Sequence, residues 1–373
     1  FTGEGMIIAL LDAGFLNVDS YPQFSRLRNN GQVLGGYNFV ERNTNYYARH
    51  YHGMAVLSTI AGYVENEFVG TAPDADFYLF ITEDSSKETP LEESLWVEAA
   101  EVADSLGVDV INTSLGYTTF DDPDYNYSYE DLDGQTTFIT RGSTMAFSRG
   151  MLLVTSAGNE GDDPWQFISA PADAPDVISV GAVDNVGESA DFSSYGPTID
   201  GRVKPDVSAP GQGIYVVRYD GEIGPSAGTS FASPILAGVL TCLWQAYPEL
   251  TPGEIVNLTR EAGHLFPAST TQMGYGIPDF ESILLLLRED HYKGEEPLIY
   301  PNPVSDKVYF KLPEGVSEVQ ITVLNLLGKS VYESTISRFN NHADLNFLIP
   351  GVYMVKIAPI NGGRATTLKM IKK

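Results

Sequence analysis

The sequence predicts an α/β layered fold with a mostly parallel sheet over residues 1–290, a linker at 291–298, and a small all-β sandwich over 299–373. Three observations predict it. Short, near-continuous apolar runs alternate with helix-period segments in the first part. A polar, charged stretch with Gly and Pro, Arg288–Pro297, then interrupts that pattern. Beyond it, apolar and polar residues alternate with period two and no helical period remains.

Taken in order, the runs Met6–Leu11, Phe77–Ile81, Val108–Ile111, Leu152–Thr155, Val177–Val183 and Ile214–Val217 are bounded by Gly, Asp, Asn or Pro. Such runs suit strands buried on both faces of a parallel sheet. Between them, Gly53–Gly62, Leu91–Leu106, Gly142–Arg149, Ser230–Ala246 and Pro252–Glu261 carry helical spacing. In a sheet of this kind chemistry is expected at the carboxyl ends of the strands. In the tail, Lys307–Leu312, Glu318–Leu324, Lys329–Glu333, Val352–Ile357 and Thr366–Ile371 read as antiparallel strands. Asn361-Gly362-Gly363 supplies a hairpin turn between the last two. Pro301 and Pro303 are expected to start an edge strand. Gly351 is expected to open a core strand with Tyr353, Val355 and Ile357 on one face. This tail reads as an immunoglobulin-like sandwich.

Composition bounds the function. The 373 residues are 43% hydrophobic and 11% aromatic, enough for a large core. The formal net charge of −27 would repel a polyphosphate, so nucleic acid is not an expected partner. That charge is uneven: residues 1–292 hold 12 basic and 42 acidic side chains, residues 293–373 hold 10 and 7. Two units with different surroundings are expected. The single cysteine, Cys242, excludes an internal disulfide and a Cys-based zinc cluster, and reads as a small buried hydrophobe. No apolar run approaches the roughly 18 residues that span a bilayer. The longest, Pro234–Trp244 and Ile283–Leu287, read as buried helices. The chain opens at Phe1 without Met or signal peptide, which leaves export open.

Three segments each place one reactive residue at the end of an element. Asp12 follows the run MIIALL, His52 starts a helix in HGMAVLSTIAG, and Ser230 lies in GTSFASP before a long apolar helix. A hydroxyl nucleophile needs an imidazole to take its proton. The imidazole in turn needs a carboxylate to fix its tautomer and stabilise its charged form. A serine at a helix N-terminus also meets unpaired N–H groups that favour a developing anion. Each residue alone has a plain structural reading: Asp12 as a turn or cap residue, His52 as a structural histidine with His50 as its competitor, Ser230 as a cap. The D-x-G pattern also suits an aspartic protease, but no second copy exists. The conjunction in the order Asp, His, Ser carries the argument.

At these residues the chain resembles the subtilisin-like serine proteases, the subtilase family (peptidase family S8), over essentially residues 1–290. Besides DAG, HGMAV and GTSFASP, SAGNEG, INTSLG, ISVGAVD, DFSSYGP and KPDVSAPG stand in the family's order. The resemblance implies a subtilisin-like three-layer fold and a serine endopeptidase, with Ser230 as nucleophile, His52 as base and then acid, and Asp12 orienting the imidazole. Asn159 with the Ser230 N–H would form the oxyanion hole. Ser114, Leu115 and Gly116, with Ser156, Ala157 and Gly158, would flank an extended substrate. It implies no required cofactor. It also implies an N-terminal propeptide, missing here, so that Phe1 lies near a mature start. Two departures stand out. Met54 follows His52-Gly53 where the family usually has Thr, which alters packing behind the histidine. Tyr117–Ala146 is a Tyr- and Asp-rich insertion expected at the edge of the cleft. Its Asp122, Asp124 and Asn126 have the alternation of a calcium loop but lack the following Gly and Glu. A solvated acidic loop is the preferred reading, structural calcium the other.

Residues 299–373 resemble the type A sorting domain of the type IX secretion system of Bacteroidota, through IYPNPVSDKV (Ile299–Val308), LNLLGK (Leu324–Lys329), GVYMVKI (Gly351–Ile357) and the basic end Lys369–Lys373. This implies that the type IX (Por) secretion machinery is a partner, with export through the periplasm to the outer-membrane surface or the medium. A generic adhesion or sugar-binding sandwich is the alternative for the tail. For the whole chain the alternative is a catalytically silent subtilase fold serving as a surface binding or adhesion protein.

Overall fold

In the computed structural model the described residues are 1–284, 287, 297–312, 316, 318–337, 340–360 and 365–373. Residues 291–296 of the expected linker, the Asn361-Gly362-Gly363 turn and residues 285–286 lie outside them. The chain divides into two units, Phe1–Phe280 and Glu281–Lys373.

The strands of the first unit are β1 (Ile7–Asp12), β2 (Val33–Asn38), β3 (Tyr63–Val64), β4 (Phe68–Val69), β5 (Asp76–Ile81), β6 (Val110–Thr113), β7 (Leu152–Ser156), β8 (Ile178–Val183), β9 (Val207–Pro210), β10 (Gln212–Val217) and β11 (Ile223–Ala227). Its helices are α1 (Ser25–Asn29), α2 (His52–Ala61), α3 (Leu91–Ser105), α4 (Phe138–Ser148), α5 (Thr229–Ala246) and α6 (Pro252–Glu261). Seven strands form one sheet in the order β2-β5-β1-β6-β7-β8-β9, and each neighbouring pair is parallel. Their carboxyl ends therefore share one rim. Helices α2 and α5 pack on one face, α3 and α4 on the other, which makes three layers. The period-two alternation of a strand decides which face each residue serves. Ala9, Leu11, Ile111 and Leu153 join Trp96 and Ala99 of α3 and Ile139 and Ala146 of α4 in one core cluster.

Most predicted elements occur within a few residues of their expected ends, but one moves. Ile214–Val217 was expected in the parallel sheet; it lies instead in β10, paired antiparallel only with β11. The physical reason is its burial: Val216 and Val217 are covered while Tyr215 is 60% exposed, so the run is not buried on both faces. Within the seven-stranded sheet, the strands missing from the sequence reading are β2, broken by Gly35-Gly36, and the short β9. Both sit at sheet edges, where one partner suffices. Helix α4 begins four residues before its predicted start, at Phe138, because the Thr137 hydroxyl accepts the Thr140 N–H and caps it.

In the second unit β12 (Leu298–Tyr300), β13 (Lys307–Lys311) and β16 (His342–Asp344) make one antiparallel sheet. The strands β14 (Glu318–Leu324), β15 (Ser330–Ser337), β17 (Gly351–Pro359) and β18 (Thr366–Lys372) make a second, in the order β15-β14-β17-β18. Alternate residues Val319, Ile321 and Val323 of β14 and Tyr353, Val355 and Ile357 of β17 enter a core shared with Val308 and Phe310 of β13. Pro301 and Pro303 do not start a strand: they follow β12, and Val304 then bridges to Lys372.

Candidate active site

Asp12 is the last residue of β1, on the rim where the parallel strands end. Its carboxylate is buried: Oδ1 accepts the Ala13 N–H at 2.7 Å and lies 2.8 Å from His52 Nδ1. Oδ2 is also buried, with no hydrogen-bond partner among the described residues. His52 is the first residue of α2, its side chain 26% exposed. Gly53 explains why the helix can start so close to the strand. A Cβ there would stand 2.6 Å from Gly14 O and 2.9 Å from Asp12 Cβ, so a larger residue would push the imidazole away from the carboxylate. Burial alone would lower the His52 pKa, but the charge and hydrogen bond of Asp12 outweigh it and raise it above the usual value. Met54, the departure noted above, is fully buried in α2.

Ser230 is the second residue of α5 and is 9% exposed. Pro234, four residues later in the same helix, has no N–H, so the Ser230 carbonyl lacks its usual intrahelical donor. The Ser114 hydroxyl replaces that donor at 2.8 Å. The Ser230 hydroxyl in turn donates to Ser114 O at 3.3 Å, and no hydrogen bond joins it to His52. The neighbouring Phe231 ring stands 6.0 Å from the His52 ring. Ser114 is itself held by Asn112 Nδ2 at 3.0 Å and by Ser233 Oγ at 3.2 Å.

Asn159 lies beyond the end of β7. Its side-chain oxygen accepts both the N–H of Thr229, at 2.8 Å, and the Thr229 hydroxyl, at 3.0 Å. That leaves the Nδ2 group without a partner among the described residues, next to the start of α5. Thr229, which the sequence reading passed over, thus orients the Asn159 side chain; its adjacency to Ser230 within GTS was the available signal.

The two expected substrate edges are unequal. The main-chain groups of Leu115 and Gly116 make no hydrogen bond among the described residues, and Tyr117 beyond them pairs with Ala170. Gly116 is required by close approach: a Cβ would lie 1.9 Å from Ser169 Oγ. On the other edge, the Ala157 N–H goes to Val180 O and its carbonyl accepts from Ser169 N. Gly158 exchanges hydrogen bonds with the Thr229 hydroxyl and accepts from Ser194 N. Ser156 is still within β7.

The insertion is more than a rim loop. Tyr117, Phe120 and Leu132 are buried in the core cluster. Tyr117 donates its hydroxyl to Glu83 at 2.5 Å. Burial first, then the charge of Glu92, pushes the Glu83 carboxyl up to about 8 against the lowering effect of Tyr117. Asp122 accepts Asp124 N–H at 3.1 Å and Asn126 accepts Phe120 N–H at 2.7 Å, so these oxygens serve local turns. Among the described residues, no three His, Cys, Asp or Glu side chains gather as a metal site. No helix there is long and apolar enough to cross a membrane.

Residues 298–373 match the secretion system C-terminal sorting domain, which marks the chain for export to the cell surface or the medium. Serine protease AprX of Bacillus subtilis (strain 168) is 29% identical over 288 residues, covering 69% of this chain and 61% of the relative. A thermostable alkaline protease of Halalkalibacterium halodurans is 31% identical over 255 residues, covering 68% and 60%. The chain therefore spans only 61% and 60% of the length of these two curated relatives. Among solved structures, proteases from Pseudoalteromonas arctica PAMC 21717 superpose with a TM-score of 0.61 at 23% identity, over 76% of this chain and 91% of that one. At that identity the likeness speaks for the fold. Residues 3–276 match the subtilase family across most of the chain, and to that family this protein belongs.

Proposed function

We propose that this protein is an exported serine endopeptidase that cleaves peptide bonds through an acyl-enzyme intermediate. The observation that carries the reading is the 2.8 Å contact between buried Asp12 and His52 at the rim where α5 presents Ser230. The reading requires the Ser230 hydroxyl to leave Ser114 O and donate to the imidazole; catalytic hydrogen bonds are often loose before substrate binds. His52 then takes the hydroxyl proton as Oγ attacks the scissile carbonyl carbon. The oxyanion is held by Asn159 Nδ2 and the free Ser230 N–H. Collapse expels the amine, which leaves with the proton from His52. A water molecule repeats the sequence on the ester, giving the carboxylate product and restoring Ser230. Asp12 stabilises the imidazolium in both halves. The substrate main chain pairs first with Leu115–Gly116, the edge with free groups. These steps call on no metal or cofactor.

Peptide and protein segments are the proposed substrates. The type IX machinery is the proposed partner of residues 299–373. A fluorophosphonate probe should label the folded protein and not its Ser230→Ala variant. Absence of labelling, or equal labelling of both, would overturn the reading and favour the silent binding protein, which the Ser230 hydroxyl's present hydrogen bond to Ser114 also suits. Deleting 299–373 should hold the protein in the periplasm of a type IX-competent host; normal export would refute the sorting role.

A further inference from the structure

We infer that His50 is a positioning residue for His52: its neutral Nδ1 holds the first N–H of the helix that carries the base. The inference rests on His52 being that base. The opening N–H groups of a helix lack intrahelical acceptors, and a Ser, Thr, Asn or Asp side chain usually supplies one. Here the residue before α2 is Tyr51, which offers no side-chain cap. Instead His50 Nδ1 accepts the His52 N–H at 3.2 Å. An imidazole can accept there only when Nδ1 carries no proton, so the proton of neutral His50 sits on Nε2.

The main chain of His50 is anchored on the side of the carboxylate as well. The His50 N–H donates to Ala13 O at 3.3 Å and its carbonyl accepts from Leu16 N at 3.4 Å. Gly14 bridges Arg49 between them. His50 therefore ties the loop that follows Asp12 to the start of α2, the two ends whose separation decides the Asp12–His52 contact. Its ring centroid is 6.5 Å from that of His52. The titratable and charged groups around it are His52 on α2, Asp12 on β1, and the adjoining Tyr51 ring at 4.4 Å. Arg49 on its own segment is paired with Glu41 and Asp84. Burial, and then the nearby His52, hold the His50 pKa below the usual value, against a smaller pull from Asp12.

Protonating His50 would put a hydrogen on Nδ1, break the bond to the helix and set a cation beside a base that must itself become charged. His50 must accordingly stay neutral for turnover. The acid side of the profile should then show two protonations, His52 first and His50 at lower pH.

The test is kcat/KM of the folded chain on a peptide substrate from acid to alkaline pH, beside His50→Asn and His50→Leu. For the wild type, log kcat/KM should fall with a slope of one and steepen toward two at lower pH. His50→Leu should lower kcat at pH 8 by about 5- to 10-fold with KM little changed. His50→Asn, whose side-chain oxygen can accept the same N–H, should recover most of that loss and keep a slope of one throughout. Unchanged kcat in His50→Leu, or a second protonation persisting in His50→Asn, would overturn the inference. A second readout needs no turnover. In Ser230→Ala protein, histidine ring resonances should show His50 titrating below His52, and His52→Gln should raise the His50 midpoint. The opposite order, or no movement, would also overturn it. Failure of Ser230 to label would instead sink the protease reading, so the two failures remain distinct.

Discussion

The hydroxyl of Ser114 donates to the main-chain carbonyl of Ser230 at 2.8 Å, a hydrogen bond made necessary by Pro234 in the same helix. It links the end of β6 to the start of α5 and so connects the proposed substrate edge with the proposed nucleophile.

Ser114→Ala should therefore act on both stability and turnover. It leaves the Ser230 carbonyl buried without a donor, which costs about 1–3 kcal/mol. Urea unfolding should show a lower midpoint with the same slope, and kcat should fall more than KM rises. A neutral midpoint would mean that the Ser230 carbonyl is satisfied in some other way.

Asn159→Ala should lower kcat by about 10²–10³, the cost of an oxyanion donor established on a member of this same family, with KM little changed. Thr229→Val should give a smaller loss, because the Thr229 N–H still holds Asn159 Oδ1 while the hydroxyl at 3.0 Å is gone. Steady-state kinetics on one peptide decides the ranking, and equal activity of Asn159→Ala and wild type would remove Asn159 from the oxyanion role.

Glu83 makes stability depend on pH. Folding raises its carboxyl from 4.5 to about 8, chiefly through burial. Between those values the folded chain holds a proton that the unfolded chain has released, so stability falls as pH rises through this window and levels off above it. Glu83→Gln keeps an acceptor for Tyr117 and Thr82 but cannot ionise. It should melt near the wild-type temperature at pH 5 and above it at pH 9, as thermal scans at both values would show. Parallel curves across that range would contradict the assignment.

Asp206 neutralises two cations: its carboxylate meets Lys204 Nζ and Arg260 at 2.7 Å each, and both Lys204 and Asp206 are only 1% exposed. Asp206→Asn would strand a buried ammonium and should cost about 3–5 kcal/mol. Denaturant titration measures it directly. A loss under 1 kcal/mol would mean that Lys204 gives up its proton instead, a route its lowered pKa leaves open.

Much of this protein was legible one residue at a time. Five of the six apolar runs became strands of the parallel sheet because a strand buried on two faces must be apolar throughout. The period-two tail likewise could only be a sheet with one covered face. DAG, HGMAV and GTSFASP marked Asp12, His52 and Ser230 because each places its reactive group at an element's end. What sequence alone settled is thus the kinds of elements and the family, and it nominated the side chains proposed to react.

Tertiary structure decided the relations among them. Whether Ile214–Val217 would join the sheet depended on what covered Tyr215. Whether Asp12 would pair with His50 or His52 depended on how closely Gly53 let α2 approach β1. That Ala157 and Gly158 would spend their main-chain groups inside the protein depended on partners as distant as Ser194 and Thr229. Local chemistry specifies what a residue can do; which hydrogen bonds it spends, and on whom, is a non-local outcome of packing that no window of sequence contains.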